Sequence, residues 1–501
     1  MDDLKKLKEM DHEAYLLTHG IAVLYWDQET YMPENAVEER SEQISLFEGI
    51  LHNKLIDDKW GELFAGLSVD EHSVPDNISD TDQAFLRESY RRYKRKIKLP
   101  VELVTEFSAE VSIAQSKWIK AKKTDDYSLF SPHLEKLLGY SREMADLIGY
   151  DEHPYDALLD EYEPWMKAEE VKRVFDKLEP GLRSLIDRIG KAPQVDTEFL
   201  NQDFPVEMQG KFGKMLQEGM GYDYNRGRLD ITAHPFMTSL GYNDVRLTTH
   251  YNKNDLLSGI YSNIHEAGHG QYEQGFGKGL RGSLLANGSS MGIHESQSRF
   301  WENIVGRDIN YWANYYPELV KIYPEQLKDV HLNDFYKAVN KVEPSLIRIE
   351  ADEVTYSMHV ILRFRLEMDM IAGDLSVKDL PDAWNAESEK LFGIKPDSNS
   401  QGILQDIHWA AGLYGYFPTY ALGNLYGAQF TNIMKEDLPD FDLCLIKGDL
   451  LPIKEWLNGK IHKYGSSVSA SDLIKQISGE SLNPQYFLEY LEKKYKTIYD
   501  I

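Results

Sequence analysis

The chain has 501 residues, with 82 acidic side chains against 55 Lys and Arg and a formal charge of -27. That field repels phosphate backbones and argues against nucleic acid as a partner, while 42% hydrophobic residues exclude wholesale disorder. Cys444 is the only cysteine, which excludes an internal disulfide and a cysteine-based metal site.

The first residues, MDDLKKLKEMDHEAY, lack the apolar core of a signal peptide. No later stretch approaches the roughly 20 apolar residues that cross a bilayer. A cytoplasmic location without membrane association is expected. Residues 1–60 carry apolar positions at three- and four-residue spacing, among them Leu16, Leu17, Ile21 and Leu24. The stretches 82–98, 101–122, 131–148, 168–190 and 205–218 repeat the pattern between strong helix formers. Asp70–Asp80 reads as a loop, and the basic run Arg91–Lys96 reads as a solvated helix face. The β-branched and aromatic residues of 228–252, interrupted by Gly241–Asp244, predict a small sheet with a turn. Helical spacing resumes over 255–273, 290–305, about 334–372, 382–392, 402–433 and two shorter C-terminal segments. The expectation is a mainly α protein with one small β-sheet. With no clean linker, 1–501 is expected to be a single catalytic unit, undivided or bilobed around a groove.

The chemistry concentrates in His265-Glu266-Ala267-Gly268-His269. On a helix, residues four apart share a face, so both imidazoles can reach one ion. Glu266 projects about 100° around the helix, near enough to act on water without being a ligand. Asn254 or Asp255 is placed to cap this helix. A catalytic zinc takes three protein ligands and keeps one open position. Glu295, 26 residues beyond His269 on a second amphipathic segment, is the leading third ligand; His294 and Glu302 are the alternatives. Between the two segments, Gly277–Gly282 matches GxGxxG, but no strand precedes it and a dinucleotide reading fails.

Further motifs run in order along the chain. They are Trp26-Asp27, Met32-Pro33, His234-Pro235-Phe236, and Asp244-Val245-Arg246-Leu247-Thr248. After HExxH come His294–Gln297 (HESQ), Ile347–Asp352 (IRxxAD), Gly402–Trp409 (GxxQDxHW) and Gly415–Tyr420. Together they resemble the carboxypeptidase Taq family of metallocarboxypeptidases. The resemblance implies a helical fold like that of neurolysin and the angiotensin-converting enzymes, with zinc at the floor of a deep groove. It also implies release of single C-terminal residues from peptides with broad specificity, usually by a homodimer.

Within that resemblance, Glu266 is the general base, and His265, His269 and Glu295 hold Zn2+, for which Co2+ could substitute. His408, Tyr420 and Tyr416 are the candidates for steadying the oxyanion, with Tyr420 preferred to Tyr416. A terminal carboxylate calls for a guanidinium. Arg348 is the first choice, on an expected helix, against the alternative of an ion pair with Glu350 or Asp352; Arg246 is its rival. His234 is a candidate substrate contact, and Gln405 and Asp406 are expected to orient His408. A helical oligopeptidase or dipeptidase that cuts peptides internally is the alternative function.

Overall fold

The computed structural model describes residues 2–501. Two antiparallel helices, Asp2–Thr30 and Val37–Leu55, open the fold. Leu4 and Leu7 of the first join Trp60, Phe64, Phe85 and Tyr93 in a small apolar core, which also takes Leu280 and Leu285. A larger core runs from Ala114 to the C-terminus. The helix Asp80–Ile97 starts at Ser79, whose Oγ accepts from the Asp82 amide at 3.2 Å, and ends on Lys94, Arg95 and Lys96. Both ends complement the helix dipole. The helices Val101–Thr124, Ser131–Ile148, Ala168–Ile189 and Val206–Met220 follow close to their expected bounds. No helix among the described residues is long and apolar enough to cross a membrane.

The sheet has three strands, β1 (Leu229–Ile231), β2 (Met237–Ser239) and β3 (Val245–Thr249), in the order β1-β3-β2. β2 and β3 form the expected antiparallel hairpin around Gly241, where φ is 143° and Leu240 N–H donates to the Asp244 carbonyl at 2.7 Å. β1 pairs parallel with β3, which leaves β2 at the edge.

Three helices then stack around the HExxH segment. Leu256–Gln274 is capped by Asp255, whose carboxylate accepts from Ser258 N–H at 3.0 Å. Met291–Arg299 continues as a π-helical turn over Phe300–Val305, and Pro418–Asp437 lies against it. Two glycines allow this closeness. A Cβ on Gly268 would stand 2.7 Å from Ser298 Cα, and one on Gly423 would stand 2.7 Å from Glu295 Cγ. The backbones meet where a side chain would hold them apart.

Two expected helices are shorter than their apolar spacing suggested. The stretch 334–372 divides into Leu332–Val339 and Tyr356–Ala372, joined by an irregular segment with one 3-10 turn, Arg348–Glu350. Arg348 is therefore not on an α-helix. Residues 401–417 form a chain of turns, and helix begins only at Pro418. Gly412 and Gly415 have φ of 71° and 89°, which a helix cannot contain, and a Cβ on Gly415 would meet the Leu158 backbone at 2.7 Å. A helix absent from the sequence expectation, Ile309–Ile322, fills the interval after the π turn.

Candidate metal centre and active site

The face of Leu256–Gln274 that carries His265 and His269 meets the face of Met291–Arg299 that carries Glu295. One oxygen of Glu295, Oε2, lies 3.7 Å from His265 Nε2 and 3.5 Å from His269 Nε2, and the three donor atoms fall within 4.8 Å of one another. Ligands of a tetrahedral zinc at about 2.0–2.1 Å stand roughly 3.3 Å apart. The spacing and the two-nitrogen, one-oxygen donor set fit such an ion.

Each donor is fixed from behind. His265 Nδ1 lies 2.8 Å from Glu302 Oε2, so its proton sits there and Nε2 keeps a lone pair for the cation. His269 Nδ1 lies 2.7 Å from His294 Nδ1, and His294 Nε2 lies 3.0 Å from Glu273 Oε1. With protons on His269 Nδ1 and His294 Nε2, this relay again leaves His269 Nε2 free. Burial pushes the His269 ring down to about 3, and His265 and His294 add to the effect, so it stays neutral. Arg299 binds the other side of Glu295, with Nε 2.7 Å from Oε1, and also reaches Glu302 Oε2 at 3.1 Å. Burial works against the Glu295 carboxylate, but Arg299, His265 and His269 outweigh it and hold it well below the usual carboxylate range. The alternatives His294 and Glu302 thus orient the imidazoles and stand outside the donor cluster. Arg299, Glu273 and Tyr356 belong to none of the sequence motifs; the four-residue steps from His269 to Glu273 and from Glu295 to Arg299 are the signal the sequence carries for two of them.

Glu266 is buried, yet its side chain faces a cavity of about 1180 Å³ together with the three donors. Burial pushes its carboxyl up to about 7; His265 opposes that shift and Glu295 reinforces it. The same cavity is lined by β2, by Arg299, by Arg348, Tyr356, Tyr416 and Tyr420, and by Tyr15 and His19 of the first helix.

Arg348 is 5% exposed, and its carboxylate partner is Asp406 rather than Glu350 or Asp352. Nε and Nη2 donate to Asp406 Oδ1 at 3.1 and 2.7 Å, and Nη1 donates to Tyr356 OH at 3.0 Å. Asp406 also accepts from Arg363 Nε at 2.7 Å. Two guanidiniums therefore share one carboxylate, and the pocket end keeps an excess positive charge. Gln405 accepts from the Arg348 amide at 3.0 Å. Gln405 and Asp406 hold Arg348 instead of orienting His408. The side chains could not be matched from sequence because 58 residues separate Arg348 from Asp406.

His408 lies behind Tyr420, with Nε2 3.1 Å from the tyrosine oxygen. Its Nδ1 is buried without a hydrogen-bond partner among the described residues. A proton there would be stranded, so it belongs on Nε2, donating to Tyr420 and leaving the tyrosine O–H free to turn into the cavity. Burial, then Arg348, pushes the His408 ring down to about 3. Tyr416 packs edge-on to Tyr420 at 5.2 Å.

Two candidates lie apart from this group. Arg246 donates to Asp244 at 2.8 and 2.7 Å and stacks on Trp26 at 4.2 Å, so it ties the sheet to the first helix and does not line the cavity. His234 is exposed outside the cavity lining, its carbonyl accepting from Thr232 Oγ1 at 2.7 Å. Thr248 holds the HPF loop, with Oγ1 accepting from Phe236 N–H at 2.8 Å.

Residues 6–495 match the family described as carboxypeptidase Taq (M32) metallopeptidase. The chain is 40% identical to carboxypeptidase 1 of Bacillus subtilis over 496 residues, covering 98% of this chain and 97% of that one. It is also 40% identical to thermostable carboxypeptidase 1 of Thermus thermophilus over 507 residues, covering 99% and 98%. The crystal structure of an M32 carboxypeptidase from Deinococcus radiodurans superposes with a TM-score of 0.96 at 37% identity, covering all of both chains. The chain belongs to the carboxypeptidase Taq (M32) family and is a metallocarboxypeptidase.

Proposed function

We propose that this enzyme removes single residues from the free C-terminus of peptides, with zinc held by His265, His269 and Glu295 and with Glu266 as the base. The observation that carries the reading is the hydrogen-bond count at Arg348. A guanidinium has five N–H donors. Three of them are engaged by Asp406 and Tyr356, which leaves one on each Nη. Two remaining donors in a cluster with surplus positive charge suit a carboxylate. They line the same cavity as the metal donors.

The sheet supports a peptide as the ligand. At the two ends of β2, Phe236 C=O accepts from Thr248 N–H at 2.8 Å, and Leu240 N–H donates to the Asp244 carbonyl at 2.7 Å. Antiparallel alternation then turns the main-chain groups of Met237 and Ser239 away from β3. They form a free edge in the cavity wall, able to take an extended main chain.

Zinc bound by the triad supplies Lewis acidity, lowering the pKa of water and polarising a carbonyl. Glu266, pushed up to about 7, takes the proton of the attacking water and returns it to the leaving amine. Tyr420 turns its free O–H toward the oxygen that gains charge, and His408 holds it there. Arg348 fixes the terminal carboxylate so that only the last peptide bond reaches Glu266. The chain works as one catalytic unit, because residues of the first helix and of the C-terminal half line the same cavity.

The test is digestion of one peptide with a free or an amidated C-terminus, followed by mass spectrometry with and without chelator. Residues should leave one at a time from the free peptide only, and chelator should stop the reaction. Undiminished cleavage of the amide, or internal cuts, would favour a helical oligopeptidase instead.

A further inference from the structure

The two imidazoles at the metal centre are each fixed from behind by a hydrogen bond, His265 by Glu302 and His269 by His294. His408 has no such support, because its Nδ1 is buried without a hydrogen-bond partner among the described residues. Its ring lies 4.4 Å from the Phe417 ring and its Nε2 lies 3.1 Å from the Tyr420 oxygen. Both of those partners follow closely in the chain, so neither anchors the group from outside. His408 and Tyr416 also stand in the run of turns 401–417, which has no helix or strand ladder to set its path. Their placement therefore comes through the main chain.

That main chain is pinned by one buried carboxylate. Glu367 lies fully buried in the helix Tyr356–Ala372. Its Oε1 accepts from Trp409 Nε1 at 2.7 Å, and Trp409 is the residue after His408. Its Oε2 accepts from Gly415 N–H at 3.2 Å, just before Tyr416, and from Tyr155 O–H at 2.6 Å. A single side chain thus ties down the immediate neighbours of both cavity residues. Arg363, one helical turn earlier on the same face, holds Asp406, so this helix grips the run at three places. The three partners of Glu367 are all neutral donors, which suits a group that only accepts. Burying a carboxylate among neutral groups costs stability, so what the residue supplies is a defined path for the run and not a firmer core.

Resting on the carboxypeptidase reading, in which Tyr420 steadies the oxyanion, we propose that Glu367 is the positioning residue for the His408–Tyr420 pair. The carboxylate sets the path of the run, the path sets the His408 ring, and the ring leaves the Tyr420 O–H turned into the cavity. Gln at this position cannot replace it. The amide nitrogen is itself a donor and would face either the Trp409 N–H or the Gly415 N–H, so one end of the run comes loose.

The experiment is a double-mutant cycle between Glu367→Gln and Tyr420→Phe, run on the metal-loaded enzyme with a peptide bearing a free C-terminus. Glu367→Gln should lower kcat about tenfold and leave KM and metal content within about twofold of the wild type, because an oxyanion donor is displaced while the metal is not. Tyr420→Phe alone should lower kcat about 100-fold, and adding Glu367→Gln to it should change kcat by less than about twofold. A role in stability alone would lower the melting temperature and leave kcat unchanged. Full turnover of either single variant, or a tenfold fall that persists beside Tyr420→Phe, overturns the inference. Trp409→Phe deletes a single N–H and covers the case in which Glu367→Gln does not fold. It should lower kcat about threefold, and an unchanged kcat would overturn the inference equally. The wild-type product pattern is read separately: internal cuts would count against the carboxypeptidase reading and not against the cycle.

Discussion

The two ends of the substrate cavity are built on different principles. At the metal end, His265, His269 and Glu295 stand on two regular helices, and glycines at 268 and 423 let backbones close on them. Donor positions there follow from helical register. At the other end, Arg348 and His408 stand on irregular chain, a 3-10 turn and a run of turns. What holds that end is a buried Arg348–Asp406–Arg363 cluster. The metal end needs rigidity to sub-ångström precision, and regular structure supplies it. The Arg348 end carries an excess positive charge, which long-range ion pairing supplies.

Glu266→Gln tests the metal end and should have the largest effect. The isosteric amide leaves the donors in place, so metal content by elemental analysis should match the wild type while kcat falls about 10³-fold. Retained turnover would remove Glu266 from its role. Arg348→Met tests the other end. Asp406 keeps Arg363 as its partner, so the fold should hold. The expected result is a fall in kcat/KM of about 10²-fold, carried mainly by KM, as for loss of a buried charged hydrogen bond. Unchanged KM would leave Arg348 with a structural role only. Arg299→Met joins the two ends, since this guanidinium contacts Glu295 and Glu302 and stacks on Tyr356 at 4.5 Å. Metal affinity in a chelator competition should weaken by about 10- to 100-fold. Unaltered affinity would show that the histidines and Glu295 need no such support.

The same contrast explains what could be read in advance. Helical periodicity located the HExxH helix to within a residue, and the third donor came from the amphipathic face around Glu295. The regions 340–355 and 401–417 misled because apolar spacing continues through them, while Gly412 and Gly415 interrupt the helix from within. Pairings across long separations left no local mark. Asp406 beside Arg348, Trp26 beside Arg246 and His294 behind His269 all depend on how distant elements dock. The inward turn of the Arg91–Lys96 run depends on the loop near Tyr162 and on the segment 287–294, which close a cavity over it.

The smallest expected effect lies under the metal end, at Glu163. This fully buried residue accepts from Gly292 N–H at the start of the helix that carries Glu295, and its Oε2 has no hydrogen-bond partner among the described residues. Burial pushes its carboxyl up to about 8, against the lowering effect of Ser290 and Gly292. The sign of the pH effect follows. Below its ordinary value of 4.5 the group is protonated in both folded and unfolded chains, and its contribution to stability is fully present. As pH rises toward 8, the unfolded chain releases the proton and the folded chain keeps it, so stability falls through that window. The loss is on the order of 5 kcal/mol across the window. Gln at this position mimics the neutral acid and cannot ionise. The wild type should therefore lose thermal stability relative to Glu163→Gln between about pH 5 and pH 8, while metal affinity stays the same in both. Parallel stability curves would mean that the Glu163 carboxyl is ionised in the folded protein. A cation or a water-filled space would then have to face Oε2, and the helix bearing Glu295 would begin on a charge instead of a neutral acid.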